Sequence, residues 1–253
     1  MDIPRASVAG RKVLVTGAAT GIGAAAVRAL VDAEALVAAT YHQSEPPEGL
    51  PAHWRRCDVR DADDVDDAVG YAVRTLDGLD VVIHAAGHWQ PGVPGSLTGD
   101  DIDRQLATNL KSTIFVNQAG YAAMRENGGQ IINFGSAEAA MGSPMSAVYA
   151  AAKGAVHAWT RSAARAWAHD GVTVNAVAPA VQTPGADRVR EFLGPDMAPL
   201  MDQQLQMSIP LGGRLGDPAT DVAPVLLFLS SPAARFITGQ LLAVDGGLMM
   251  VGS

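Results

Sequence analysis

Cysteine occurs once in this chain, at Cys57. No disulfide can close within it, and a reduced, cytoplasmic setting is the expected one. Basic residues are in the minority, with 18 Lys and Arg against 26 Asp and Glu and a formal charge of -8. Such a balance repels nucleic acid and anionic lipid, so neither is an expected partner. Long apolar runs are also lacking. Arg28, Asp32 and Glu34 interrupt the alanine-rich N-terminal region, and nothing approaches the roughly 18 residues that span a bilayer. The opening MDIPRASVAG has no basic segment followed by an apolar stretch, as a secretory leader would. Repeats, low-complexity tracts and long linkers are absent too, and residues 1–253 are expected to form one domain.

What is present is a core-forming composition, 48% hydrophobic over 253 residues, arranged in a regular alternation. Short apolar runs (KVLVTG, ALVAATY, LDVVIHAAG, GQIINFGS, GVTVNAVAP) are separated by longer stretches of helical period such as GIGAAAVRALVDAE. This pattern predicts β-α units around a parallel sheet buried on both faces, an α/β fold. Residues 101–125, with Ile102, Leu106, Leu110, Phe115 and Val116 among polar positions, and the alanine-rich residues 147–168 read as helices. Residues 182–216 are loosely patterned and rich in Pro, Gly and Met, which reads as an inserted lid.

The first strand-like run leads directly into AATGIGAAAVRAL, placing Gly17, Gly21 and Gly23 at a strand-to-helix turn. Glycine lets the backbone turn sharply and approach a phosphate closely, and a helix N-terminus offers unpaired N–H groups. Three glycines in seven residues also serve ordinary turns; their place after the first strand favours phosphate binding. Farther on, Tyr149 and Lys153 lie four apart in YAAAK, so a helix projects both from one face. A free tyrosine has a pKa of about 10, and a neighbouring ammonium is expected to lower it.

TGAATGIG at 16–23, Ser136 thirteen residues before Tyr149, and YAAAK together resemble the short-chain dehydrogenase/reductase family. The resemblance extends over nearly the whole chain through CDV at 57–59, HAAG at 84–87, Asn109, NAVAP at 175–179 and VDGG at 244–247. It implies a Rossmann-type, doubly wound parallel sheet, a homotetramer, and hydride transfer between a nicotinamide cofactor and a carbonyl or alcohol substrate. It further implies that Tyr149 exchanges a proton with the substrate oxygen and that Ser136 hydrogen-bonds the same oxygen. Lys153 would bind the nicotinamide ribose and tune Tyr149, and Asn109 would hold a water in the proton relay. Gly17, Thr20, Gly21, Ile22 and Gly23 would meet the pyrophosphate, with Thr40, Tyr41, His42, Asp58 and Val59 at the adenosine. Ala85, Ala86, Gly87, Pro179, Ala180, Val181 and Thr183 would complete the cofactor site. Asp58 would accept a hydrogen bond from adenine.

The family's usual Asn-Asn-Ala-Gly segment is replaced by His84, Ala85, Ala86 and Gly87. His84 can still hydrogen-bond, whereas Ala85 cannot replace an amide. The usual glycine after Pro179 is Ala180, and Thr183 stands one position early. The second strand ends at Thr40 without the carboxylate that an NAD-selective site carries. NADP(H) is therefore the expected cofactor and NAD(H) the alternative, with Thr40, Tyr41 and Ser44 as donors to a 2′-phosphate and His42 as the nearby cation. Because histidine gains charge below neutrality, the preference should widen as pH falls.

No metal site is expected, since the turn between His84 and His88 denies them a shared helical face. Cys57 reads as a small buried hydrophobe. Trp89, Glu138, Met141, Met197, Met201 and Met207 are expected near the substrate, with a 3-oxoacyl thioester as the first substrate and cyclic ketones, steroids or sugars next. The reading from a different class is a redox-inactive nucleotide sensor or scaffold; the intact Ser136, Tyr149 and Lys153 disfavour it.

Overall fold

The computed structural model describes residues 6–250. The five apolar runs become strands, and two further strands, β3 and β7, stand at the sheet edges: β1 (Lys12–Thr16), β2 (Leu36–Tyr41), β3 (His53–Arg56), β4 (Val81–His84), β5 (Gly129–Phe134), β6 (Val172–Pro179) and β7 (Leu241–Val244). All pair in parallel in the order β3-β2-β1-β4-β5-β6-β7. The chain winds outward from β1 to β3, then returns to place β4 on the other side of β1. That reversal opens a crevice beyond the carboxyl ends of β1 and β4, where ligands bind in sheets of this type.

The helices are α1 (Gly21–Asp32), α2 (Ala62–Leu76), α3 (Gly99–Leu106), α4 (Ser112–Met124), α5 (Ala137–Met141), α6 (Ala147–Trp167), α7 (Pro184–Ser208) and α8 (Ala223–Ser230). Alternation along the strands divides the core in two. Val13, Val15 and Ile83 pack with Leu30 of α1 and Leu226 of α8 on one face. Leu14, Val82 and Ile131 pack with Val69 of α2 and Met124 of α4 on the other. Each such fully buried aliphatic side chain contributes about 1.5–3 kcal/mol. Among the described residues no helix is long and apolar enough to cross a membrane.

Two segments differ from the sequence expectation. The helix expected over 101–125 is α3 and α4 joined by a π-helical turn, Ala107–Lys111, which carries Asn109. Such single wide turns re-aim a side chain without ending the helix. Residues 182–216 are mostly helical, not loose: α7 fills Pro184–Ser208 and bends at Gly194, whose φ of 71° and ψ of 179° are not helical. Thr183 caps the first half by accepting a hydrogen bond from the Ala186 N–H at 3.3 Å. Pro195, which obscured the periodicity, begins the second half, where a missing N–H costs nothing.

Candidate active site

The carboxyl ends of the central strands open on a cleft of about 640 Å³. At one end the glycine turn meets it. Gly17 and Gly21 have φ of 62° and 55°. A Cβ at Gly17 would fall 2.5 Å from the Ala86 Cα, and one at Gly23 would fall 2.3 Å from the Gly17 carbonyl oxygen. Thr20, the N-cap of α1, makes no side-chain capping bond, and the first turn holds no acid. The N-terminal N–H groups thus face the cleft with no side chain claiming them, an arrangement that fits a pyrophosphate. Thr20 and Ile22 line the same wall, and Ala85, Ala86 and Gly87 face it from β4.

Beyond the glycine turn the cleft is lined by Tyr41, His42, Gln43, Ser44, Asp58, Val59 and Arg60. The expectation for Thr40 is corrected: its side chain is buried, its hydroxyl has no hydrogen-bond partner, and it is not part of the cleft wall. Strand alternation turns Thr40 inward, so the last residue of β2, Tyr41, is the one that reaches the cleft. His42 is not the only cation here. Arg60 binds the Asp58 carboxylate through its side chain at 2.8 and 2.5 Å, and the His42 Nε2 lies 3.6 Å away. Those Arg60 hydrogen bonds hold the Asp58 carboxyl down at about 2, so it is charged throughout the working range. An adenine would share this carboxylate with Arg60.

At the other end the structure brings Ser136, Tyr149 and Lys153 together on the cleft wall. Ser136 ends the segment after β5 and caps α5, accepting from the Glu138 N–H at 3.2 Å. Tyr149 and Lys153 occupy successive turns of α6, with the ammonium 5.8 Å from the centre of the phenol ring. Lys153 is buried and donates to the Phe134 carbonyl at 2.8 Å. Burial lowers its pKa to about 8. The expected lowering of Tyr149 by Lys153 is not realised here. Burial, then the Glu138 carboxylate, push the phenol above its usual range, and a hydrogen bond with Ser136 and the charge of Arg188 oppose them more weakly. Tyr149 is therefore a neutral phenol in this state.

Asn109 is buried behind the wall. Its amide nitrogen donates to the His88 carbonyl at 2.9 Å and to the Gln105 side chain at 2.7 Å, while its oxygen accepts from the His88 N–H at 2.9 Å. The side chain thus clamps the loop after β4. His84 keeps its hydrogen bonds, with Thr16 at 2.8 Å and Ser112 at 3.2 Å. Burial, followed by the Lys153 charge, depresses its pKa to about 3, which leaves the ring neutral. Pro179, Val181 and Thr183 line the cleft, whereas Ala180 is buried and gives its N–H to the Val244 carbonyl at 3.0 Å.

Cys57 is buried, and burial with nearby carboxylates raises its thiol to about 12, which rules out nucleophilic service at neutral pH. Among the described residues no three His, Cys, Asp or Glu side chains gather as a metal site. Trp89 is buried against Phe192 of α7, ring centres 6.2 Å apart, and lines the cleft. The methionines do not: Met141, Met197 and Met207 are exposed, and none of the four lines the cleft. Only Pro184, Gly185 and Arg188 of α7 reach it. The Gly194 bend separates them from the methionine-bearing half. Sequence reasoning missed Arg60, Arg104 and Arg188 as cleft residues. For Arg60 a signal existed, two residues after Asp58 in the CDV segment.

A family model described as enoyl-(acyl carrier protein) reductase matches residues 17–249. The chain is 33% identical to a 2-(S)-hydroxypropyl-CoM dehydrogenase of Xanthobacter autotrophicus, covering 94% of this chain and 96% of that one. It is 32% identical to the 3-oxoacyl-[acyl-carrier-protein] reductase FabG of Staphylococcus aureus, covering 95% and 98%. Among solved structures, a Sinorhizobium meliloti chain described as a short-chain alcohol dehydrogenase superposes with a TM-score of 0.87 at 32% identity, covering 97% and 98%.

Proposed function

We propose that this chain, which belongs to the short-chain dehydrogenase/reductase family, is an NADP(H)-preferring carbonyl reductase with Tyr149 as its proton donor. Its oxidoreductase chemistry on CH–OH and C=O groups follows from that membership; the proton donor, cofactor preference and substrate are the proposal. The observation that carries it is the neutral Tyr149 phenol beside Ser136 and Lys153, at the far end of the cleft from the glycine turn. A nicotinamide cofactor, when bound, supplies the hydride.

Hydride addition to a carbonyl carbon leaves negative charge on oxygen. The Ser136 hydroxyl donates a hydrogen bond to that oxygen, and the Tyr149 phenol gives it a proton, which completes the alcohol and leaves a phenolate. The Lys153 ammonium stabilises that phenolate and meets the ribose. Asn109 acts by holding the loop that carries Gly87 and His88. In the phosphate turn, Gly17, Gly21 and Gly23 supply close backbone approach. Arg60 and His42, with no carboxylate at Tyr41, favour a 2′-phosphate.

A 3-oxoacyl thioester is the first substrate, supported by the likeness to a 3-oxoacyl-[acyl-carrier-protein] reductase over 95% of the chain. The proposal includes one domain and a homotetramer; half-exposed rings of Tyr121 and Trp167, stacked 4.5 Å apart on α4 and α6, offer an apolar surface for association. The test is NADPH and NADH oxidation over a panel of 3-oxoacyl thioesters, cyclic ketones, steroids and sugars. Turnover of any carbonyl with NADPH supports the enzyme. Cofactor binding without turnover of any member would support a sensor instead.

A further inference from the structure

Three arginines line the cleft, and two of them have carboxylate partners. Arg60 is paired with Asp58 and Arg104 with Asp101 at 3.3 Å. Arg188 makes no ion pair and no hydrogen bond among the described residues, and its Nε is buried without any partner. A buried charge-bearing donor left unpaired costs free energy that a ligand anion would recover.

Helix geometry aims this side chain. Arg188 and Phe192 lie four apart on the first half of α7, one above the other on the same face. Phe192 packs edge-on against Trp89, itself part of the cleft wall. The guanidinium therefore enters the cleft beside Trp89, where its charge acts on both Tyr149 and His88. Glu138, whose charge also acts on Tyr149, is hydrogen-bonded by the Ser146 hydroxyl and makes no ion pair with Arg188.

We propose that Arg188 is an anion receptor in the substrate part of the cleft, and that the preferred substrates are oxo acids whose carboxylate it holds while the ketone faces Tyr149. The inference rests on carbonyl reduction at Tyr149 and departs from the 3-oxoacyl thioester, whose carboxyl is tied up in the thioester bond, in favour of the free acid. The planar guanidinium presents parallel donors that match a carboxylate, which a lysine does not reproduce.

The test compares wild type with Arg188→Met and Arg188→Lys, using 3-oxobutanoate, 4-oxopentanoate and 5-oxohexanoate, each beside its ethyl ester. For the acid that fits best, Arg188→Met should lower kcat/KM roughly 10- to 100-fold, mainly through KM. The ester should change less than about 2-fold, with Arg188→Lys between wild type and Arg188→Met. Equal losses for acid and ester would overturn the proposal, as would a higher KM for NADPH with the acid's KM unchanged, which would assign Arg188 to the cofactor.

Calorimetric titration of the three acids into each NADP-loaded protein gives a readout independent of turnover. Weaker binding to Arg188→Met with no wild-type turnover would retain the receptor and refute the reductase. Equal binding to wild type and variant, or no binding to wild type, would refute the receptor and leave the reductase standing.

Discussion

Lys153 donates its hydrogen bond to the Phe134 carbonyl at 2.8 Å, so the end of β5 anchors the ammonium that α6 brings beneath Tyr149. Burying a cation costs stability, and its pKa of about 8 against an ordinary 10.5 records that cost. The unfolded chain binds the proton more tightly, so the penalty is full below pH 8 and is relieved as pH rises toward 10.5. The shift corresponds to about 3 kcal/mol, of which leaving Phe134 unpaired would forfeit about 1 kcal/mol.

Lys153→Met is accordingly expected to be more stable than wild type at pH 7, with Tm higher by about 4–8 °C for the roughly 2 kcal/mol that remains. The gain should shrink toward pH 10. Thermal unfolding at both pH values checks it; a variant less stable than wild type at pH 7 would show that Lys153 is not a strained charge.

Lys153→Ala should weaken catalysis and cofactor binding together, with kcat down roughly 100-fold and the Kd for NADPH up several-fold. Single-turnover kinetics and fluorescence titration separate the two effects. A purely catalytic defect would remove the ribose contact from its role.

Arg60→Ala should lower kcat/KM for NADPH about 3- to 10-fold more than for NADH, because only a 2′-phosphate uses the guanidinium and one exposed charge contributes about 1 kcal/mol. Wild type should prefer NADPH over NADH between pH 6 and pH 8. A preference for NADH across this range would contradict the whole adenosine-end reading.

The first half of α7 should gain amide protection when cofactor and substrate are both bound, since Pro184, Gly185 and Arg188 border the cleft. Hydrogen exchange over residues 184–193, compared with and without ligands, is the measurement. Unchanged protection would mean that α7 is a fixed wall.

The five central strands were legible because each is a short, mainly apolar run, whereas β3, with the sequence HWRR at the sheet edge, has no such run; the glycine turn and YAAAK were legible because spacing determines which side chains share a face. Thr40 was misplaced by one residue, because the sequence does not say which face of β2 meets the ligand, and a slip of one reverses the face. The helical nature of 182–216 was hidden by Gly194, Pro195 and Pro199, whose meaning depends on where one half of α7 stops and the other starts. Tyr149 was expected to be acidified by its neighbour. Burial and Glu138, eleven residues away in sequence, overrode that, and long-range burial leaves no local signature.

The central claim, that Tyr149 is the proton donor, is tested most directly by Tyr149→Phe. The substitution removes one hydroxyl and leaves the glycine turn, Ser136 and Lys153 in place. NADPH-dependent turnover on the best carbonyl substrate should fall roughly 100-fold or more, with the Kd for NADPH within about 2-fold of wild type. Turnover retained within a few-fold of wild type would contradict the account.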